Sequence, residues 1–235
     1  MSASPRLVLL DIEGTTTPID FVLRVLFPYA RARVAAFLES HLSQPDVIAD
    51  VAGLRAEHAR DVAAGRKPPP WADGAAAYAR WLMDEDRKLT ALKALQGRIW
   101  EGGFASGELR GQVYPDVPAA LRRWTAAGRT VAIFSSGSVL AQKLLFGSTP
   151  YGDLTAFFGA FFDTTTGPKL VEASYRSIAR ALGLATEDVS FVSDIGAELD
   201  AARAAGMRTA LCVRDAGSDS RSVHPIVRTF DEIQS

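Results

Sequence analysis

Five short runs of nearly uninterrupted apolar residues punctuate this chain, at 7–10, 131–134, 160–162, 189–192 and 209–213, and each stops at a polar residue or a glycine. Runs without polar alternation mark strands buried on both faces, because no side of such a strand can face water. The segments 117–127, 139–146 and 172–182 carry apolar residues at helical spacing, and ELDAARAAGM reads as a further helix stopped by Gly206. Strands alternating with helices predict a doubly wound parallel sheet of the α/β class, covered on both faces.

One interval breaks the rhythm. From Leu10 to Val131 the gap is far too long for a single crossover helix. Most of it is Ala-, Leu- and Arg-rich at helical spacing, as in FPYARARVAAFLESHL and AAAYARWLMDEDRKLTALKALQGRIW, with Pro68, Pro69 and Pro70 breaking the middle and EGGFASGELRG closing it. Residues 20–111 are therefore expected to form a helical insertion after the first strand, a cap on an α/β core made of 1–19 and 112–235. Gly102, Gly103, Gly107 and Gly111 offer hinge material there, and the charge run Asp84, Glu85, Asp86, Arg87, Lys88 reads as a solvated helix face. The tail from Ser218 reads as a loop with one short closing element.

Composition narrows the function classes. With 26 Lys and Arg against 27 Asp and Glu, no basic excess exists to displace counterions from a nucleic acid. No run approaches the roughly 20 apolar residues of a membrane span, and an acid at position 11 arrives too early for a signal peptide. Cys212, the single cysteine among 235 residues, cannot form an internal disulfide and lies in an apolar run as a core thiol. A cytoplasmic monomer acting on a small molecule, without nucleic acid or membrane, is the expectation. His41, His58 and His224 lack zinc-ligand spacing and read as surface or partly buried residues.

In a parallel α/β sheet, ligands bind beyond the carboxyl ends of the strands. After the first apolar run stand Asp11, Glu13 and Gly14; after the second, Ser135, Ser136 and Gly137; after the third, Asp163 and then Lys169; after the fourth, Ser193 and Asp194. Carboxylates, hydroxyls and one lysine on one edge suit Mg²⁺ and a phosphate ester. Mg²⁺ takes hard oxygens in an octahedron and keeps several waters, so Asp11 and Asp194 with substrate phosphate suffice. Asp11, directly after a buried strand, is placed to act as a carboxylate nucleophile. Glu13 is placed to protonate the leaving oxygen and then activate water. Ser135 or Ser136 and nearby backbone N–H groups can hold phosphate oxygens, and Lys169 offsets repulsion between carboxylate and phosphate. Singly, each residue also has a structural role open to it, as a turn, a cap or a surface charge. Glu198, in the first turn of a helix, is read first as an acid suited to the helix dipole.

DIEGT, the Ser-Gly turn, the lone lysine and the late Asp together resemble the four motifs of the haloacid-dehalogenase-like hydrolases. DIEGTTTPI with Glu at its second acidic position, DRKLTALKALQGRIW, GELRGQVYPDV, SSGS, GPKLVEASYRSIA and FVSDIGAELDAARAAGM are most similar to the enolase-phosphatase family of methionine salvage. That resemblance runs from Asp11 to Val213. It implies Asp11 and Asp194 as magnesium ligands, with Glu13 contacting the metal through its backbone carbonyl, and Ser135, Ser136 and Lys169 as substrate-binding residues. It further implies enolisation and then dephosphorylation of 2,3-diketo-5-methylthiopentyl-1-phosphate to an acireductone. Two alternatives stand beside it: another capped phosphatase of this superfamily, acting on a sugar phosphate or phosphoglycolate, and a phospho-acceptor signalling module.

Overall fold

A computed structural model describes residues 5–214 and 222–233. The first four residues, on which part of the leader argument rests, and positions 218–221 and 234–235 of the expected tail loop lie outside the described residues. The chain divides into two compact units, Met1–Ile19 with Arg110–Ser235, and Asp20–Leu109.

The first unit is built on a parallel sheet of six strands: β1 (Leu7–Leu10), β2 (Thr130–Phe134), β3 (Phe158–Phe162), β4 (Val189–Ser193), β5 (Arg208–Cys212) and β6 (Ile226–Val227). Their order is β3-β2-β1-β4-β5-β6. The chain thus winds one way from β1 to β3 and the other way from β4 to β6, and the order reverses between β1 and β4. Leu7, Val8, Leu9 and Leu10 are all fully buried, as expected of a central strand with no polar side chain. Alternate residues face opposite ways. Leu7, Leu9, Phe134 and Phe191 pack with Tyr175, Ile178, Leu199 and Ala202 in one apolar cluster, whereas Val8, Leu10, Val131 and Ile133, equally buried, point to the other face. Each such side chain contributes roughly 1.5–3 kcal/mol on leaving water.

The helices of this unit are α6 (Val117–Ala126), α7 (Val139–Gly147), α8 (Glu172–Ala181) and α9 (Gly196–Ala204). Three strands begin before their apolar runs, at Thr130, Phe158 and Arg208: backbone pairing recruits Thr130 and Arg208 whatever their side chains, and Phe158 is separated from its run only by Gly159. The tail contributes β6, which pairs with β5 through Ile226 and Val227.

The second unit is helical. A short α1 (Ile19–Phe21) leads through a π-helical turn, Val22–Leu26, into α2 (Phe27–His41), followed by α3 (Pro45–Ala63), α4 (Ala75–Asp84) and α5 (Thr90–Ala105). The charge run is solvated at Asp84, Glu85, Asp86 and Lys88, as expected, but it is not a helix face and Arg87 departs from it. Helix α4 ends at Asp84, Asp86 adopts a left-handed φ of 48°, and Arg87 turns inward. There its Nη2 donates to Glu57 Oε1 at 2.7 Å and its Nη1 to Asp61 Oδ1 at 3.1 Å. Tyr78 donates to Asp61 Oδ2 at 2.6 Å, so an otherwise isolated buried acid is fully partnered. Two of the expected hinge glycines are packing positions: a Cβ on Gly103 would lie 2.6 Å from Tyr29 Oη, and one on Gly111 would lie 1.9 Å from the Leu145 carbonyl. His224 is buried more deeply than the surface or partly buried placement expected, and Thr209 Oγ1 stands 2.8 Å from its Nδ1.

Candidate active site

The carboxyl end of β1 sets the site. Asp11 keeps its backbone in the sheet by donating its N–H to the Val192 carbonyl at 3.0 Å, which places its side chain beside the end of β4. The carboxylate is almost completely buried and every oxygen is used. Oδ1 accepts from the Ile12 N–H at 2.8 Å and meets Lys169 Nζ at 2.6 Å. Oδ2 lies 3.1 Å from Ser193 Oγ. A carboxylate fixed at three contacts is held in one orientation, which is what an attacking nucleophile at a strand end needs.

Past Asp11 the chain turns sharply. Gly14 has φ +69°, and a Cβ there would fall 2.2 Å from Asp194 Oδ2. Only glycine permits both the turn and the close approach of Asp194, so the acid after β4 is brought against the loop after β1. The Thr15, Thr16 and Thr17 N–H groups all donate to the Ile12 carbonyl. Glu13 is thereby carried toward β2, where Ser135 Oγ donates to its Oε2 at 3.3 Å. Ser135 also accepts the Gly137 N–H at 3.0 Å, shaping the Ser-Gly turn that includes the half-buried Ser136.

The structure brings Asp11 to Lys169, Glu13 to Ser135, and Asp194 to the Gly14 turn, all within the first unit. It also corrects the reading of Glu198. Its Oε2 lies 2.6 Å from Lys169 Nζ and 3.0 Å from Ser193 Oγ, so it shares the lysine with Asp11 rather than merely facing the helix dipole. Asp163, by contrast, serves its neighbours: Oδ1 accepts from Thr165, and Oδ2 accepts the Val139 N–H that opens α7. Gln142 was not singled out from the sequence. Its amide, buried in α7, donates to the Gly137 and Phe162 carbonyls at 2.8 and 2.9 Å and ties the Ser-Gly turn to the end of β3. A lone Gln in the apolar run VLAQKLLF was the available signal.

Charge is unbalanced here. Asp11, Glu13, Asp194 and Glu198 stand against one ammonium. Burial first, and the Asp11 charge second, push Asp194 up to about 7. The same two causes in the same order raise Glu13 and Glu198 above the ordinary carboxylate range. Burial works to lower the Lys169 ammonium, but Asp11 and Glu198 outweigh it and hold the lysine protonated. A cluster of buried carboxylates that resists full ionisation lacks positive charge. The donor set, two carboxylates and backbone carbonyls at a strand end, fits a hard divalent cation. Among the described residues no group of three His, Cys, Asp or Glu side chains is placed to hold a metal ion by itself.

Comparison with known proteins identifies the family. A family model of haloacid dehalogenase-like hydrolases matches residues 5–206. The chain is 53% identical to enolase-phosphatase E1 of Synechococcus elongatus, covering 96% of both chains. It is 51% identical to enolase-phosphatase E1 of Sorangium cellulosum, covering 99% of both. Among solved structures, the UTR4 protein of Saccharomyces cerevisiae superposes with a TM-score of 0.78 at 32% identity, over 97% of this chain and 100% of that one.

Proposed function

The chain belongs to the enolase-phosphatase E1 family of the haloacid dehalogenase-like hydrolases, and on that footing we propose that it enolises 2,3-diketo-5-methylthiopentyl-1-phosphate and then transfers the phosphoryl group to Asp11, yielding an acireductone and phosphate. The observation that carries this reading is the immobilised Asp11, paired with Lys169 at 2.6 Å and followed two residues on by Glu13 in contact with Ser135.

The chain's own groups have separable tasks. Asp11 Oδ forms the new bond to phosphorus as the ester P–O bond breaks, giving an aspartyl-phosphate. Glu13, whose raised pKa favours its protonated form, gives its proton to the departing oxygen. Once ionised, Glu13 takes a proton from the water that attacks the aspartyl-phosphate, and Asp11 is restored. Ser135 and Ser136 hold phosphate oxygens, and the Lys169 charge lowers the repulsion between the Asp11 carboxylate and the anionic ester. Asp11, Asp194 and the Glu13 carbonyl are the groups that would hold Mg²⁺. Bound there, the ion supplies positive charge for the developing enolate and for the phosphoryl oxygens. In its ionised form Glu13 is a candidate for removing the α-proton in the enolisation, after which it carries the proton that it gives to the leaving oxygen.

The helical unit is assigned the role of a cap because it is inserted directly after the loop bearing Asp11 and Glu13. No helix among the described residues is long and apolar enough to cross a membrane. The cytoplasm is proposed as its location because a single unpaired cysteine favours a reducing compartment, and the enzyme is taken as a monomer.

The test supplies the diketone phosphate and follows enediol absorbance and phosphate release separately, with and without Mg²⁺. An enol signal preceding phosphate, both requiring the ion, is expected. Phosphate released with no enol stage would overturn the two-step reaction and favour a capped sugar-phosphate phosphatase.

A further inference from the structure

We infer that Arg214 is a positioning residue, which, through its ion pair with Asp116, fixes the backbone of the loop that carries Asp11 and Glu13. Arg214 lies two residues beyond the end of β5, and its side chain is 7% exposed. Its planar fork is completely committed. Nε and Nη2 donate to the Thr15 carbonyl at 3.0 and 2.6 Å, and Nη1 pairs with Asp116 Oδ2 at 2.7 Å. The Tyr114 and Phe230 rings lie 4.3 and 4.6 Å from the guanidinium carbon. Asp116 is itself anchored, because Oδ2 also accepts the Phe230 N–H at 2.6 Å.

A buried ion pair is a weak stability device compared with apolar packing of the same volume. What this pair provides is geometry. A carbonyl receiving two charge-assisted bonds from a rigid fork has its peptide plane defined. The loop needs such a tie. The Thr15 and Thr17 hydroxyls are buried without a hydrogen-bond partner among the described residues, so they do not hold it. Within the loop, the Thr15, Thr16 and Thr17 N–H groups and the Thr16 hydroxyl close on the Ile12 carbonyl; its ties to the rest of the unit are carbonyls, since Thr15 O reaches Arg214 and Thr16 O accepts the Tyr114 N–H at 3.0 Å. Glu13 and Gly14 precede these tethered residues directly. There is no slack at Gly14, where even a methyl group would overlap Asp194. Letting Thr15 drift therefore shifts the Glu13 carbonyl and side chain against Asp11 and Asp194, although Arg214 acts only through the backbone. Misplacement of reacting groups by about 1 Å can cost 10²-fold in rate.

The inference rests on the function proposed above, and the experiment separates the two. Magnesium binding to the folded protein is measured by calorimetry, beside thermal unfolding and steady-state kinetics, for the wild type, Arg214→Lys and Asp116→Asn. Arg214→Lys keeps the charge but loses the fork. It is expected to unfold cooperatively, to bind Mg²⁺ about tenfold or more weakly, and to lose about 10²-fold in kcat. KM should stay within about twofold, since Ser135, Ser136 and Lys169 belong to other loops. Asp116→Asn, which leaves the bonds to Thr15 but removes the counter-charge, should fall between the two and decides the matter if Arg214→Lys fails to fold. Wild-type metal affinity and kcat per folded molecule in the variant that folds would overturn the inference. A purely structural role would lower only the folded fraction. A wild-type protein that bound no magnesium would overturn the proposed function itself, and this inference with it, before any variant was made.

Discussion

Two buried ionic clusters sit in the two units of this chain, and they are built on opposite principles. In the helical unit, Asp61 and Glu57 are matched by Arg87, Arg60 and Arg66. Burial works to raise the Asp61 carboxyl, but the Tyr78 and Arg87 hydrogen bonds prevail and hold it below its ordinary value. At the strand ends, four carboxylates gather near Lys169, which pairs with Asp11 and Glu198, and three of the four are held above their ordinary values. The balanced cluster is complete without any ligand. The unbalanced one keeps unmet negative charge where a cation and an anionic ester can use it. Burial of charge alone does not mark a functional site; a deficit of countercharge at a strand end does.

The largest effect should come from Asp11→Asn, which removes the proposed nucleophile while relieving like-charge repulsion. Phosphate release should fall at least about 10⁴-fold with thermal stability unchanged or raised; turnover near the wild-type level would remove the distinction drawn for the sheet edge. Lys169→Met comes next, with a loss of about 10²–10³ in kcat. It also strips the only ammonium from its acids and should cost about 3–5 kcal/mol by denaturant unfolding. Arg87→Met should destabilise the protein by a similar amount for the same reason, yet leave magnesium affinity per folded molecule as in the wild type. A metal affinity that moved with Arg87 would blur the comparison.

The smallest effect is in pH, and its sign differs between the clusters. A carboxyl raised in the folded state binds protons that the unfolded chain does not, so its contribution to stability grows as pH falls. For Asp194 that window runs from above about 7 down toward its ordinary value of 3.8. The melting temperature of the metal-free protein should therefore rise as pH falls from 8 to 5.5. Asp194→Asn should flatten that slope, and magnesium should bind with release of protons at pH 7. Asp61, held below 3.8, contributes stability above that value and loses it as pH falls through its folded pKa. Asp61→Asn should remove part of the acid transition and leave the neutral slope in place. A melting curve flat between pH 8 and 5.5 in the metal-free wild type would contradict the charge deficit.

Much of this was legible in residue order. The apolar runs announced β1, β2, β3, β4 and β5, and the residues that stop them include Asp11, Ser135 and Asp194. Glu198 was harder to read because an acid in the first turn of a helix satisfies a local rule, and nothing local says that Lys169 stands 2.6 Å away. Arg87 was hidden in a charge run whose helical period ends at Asp84. Arg214, just past the apolar run that ends at Val213, carried no signal in its own neighbourhood.

The sequence by itself determined which segments become strands and which polar residues follow them, because burial pattern and chain continuity are local properties. Only the tertiary structure decided that β1 lies between β2 and β4, so that acids far apart in the chain share one ammonium. It also decided that Arg214, after β5, reaches the Thr15 carbonyl after β1. Such pairings arise from strand order and packing between distant segments, which hydrophobic period does not encode.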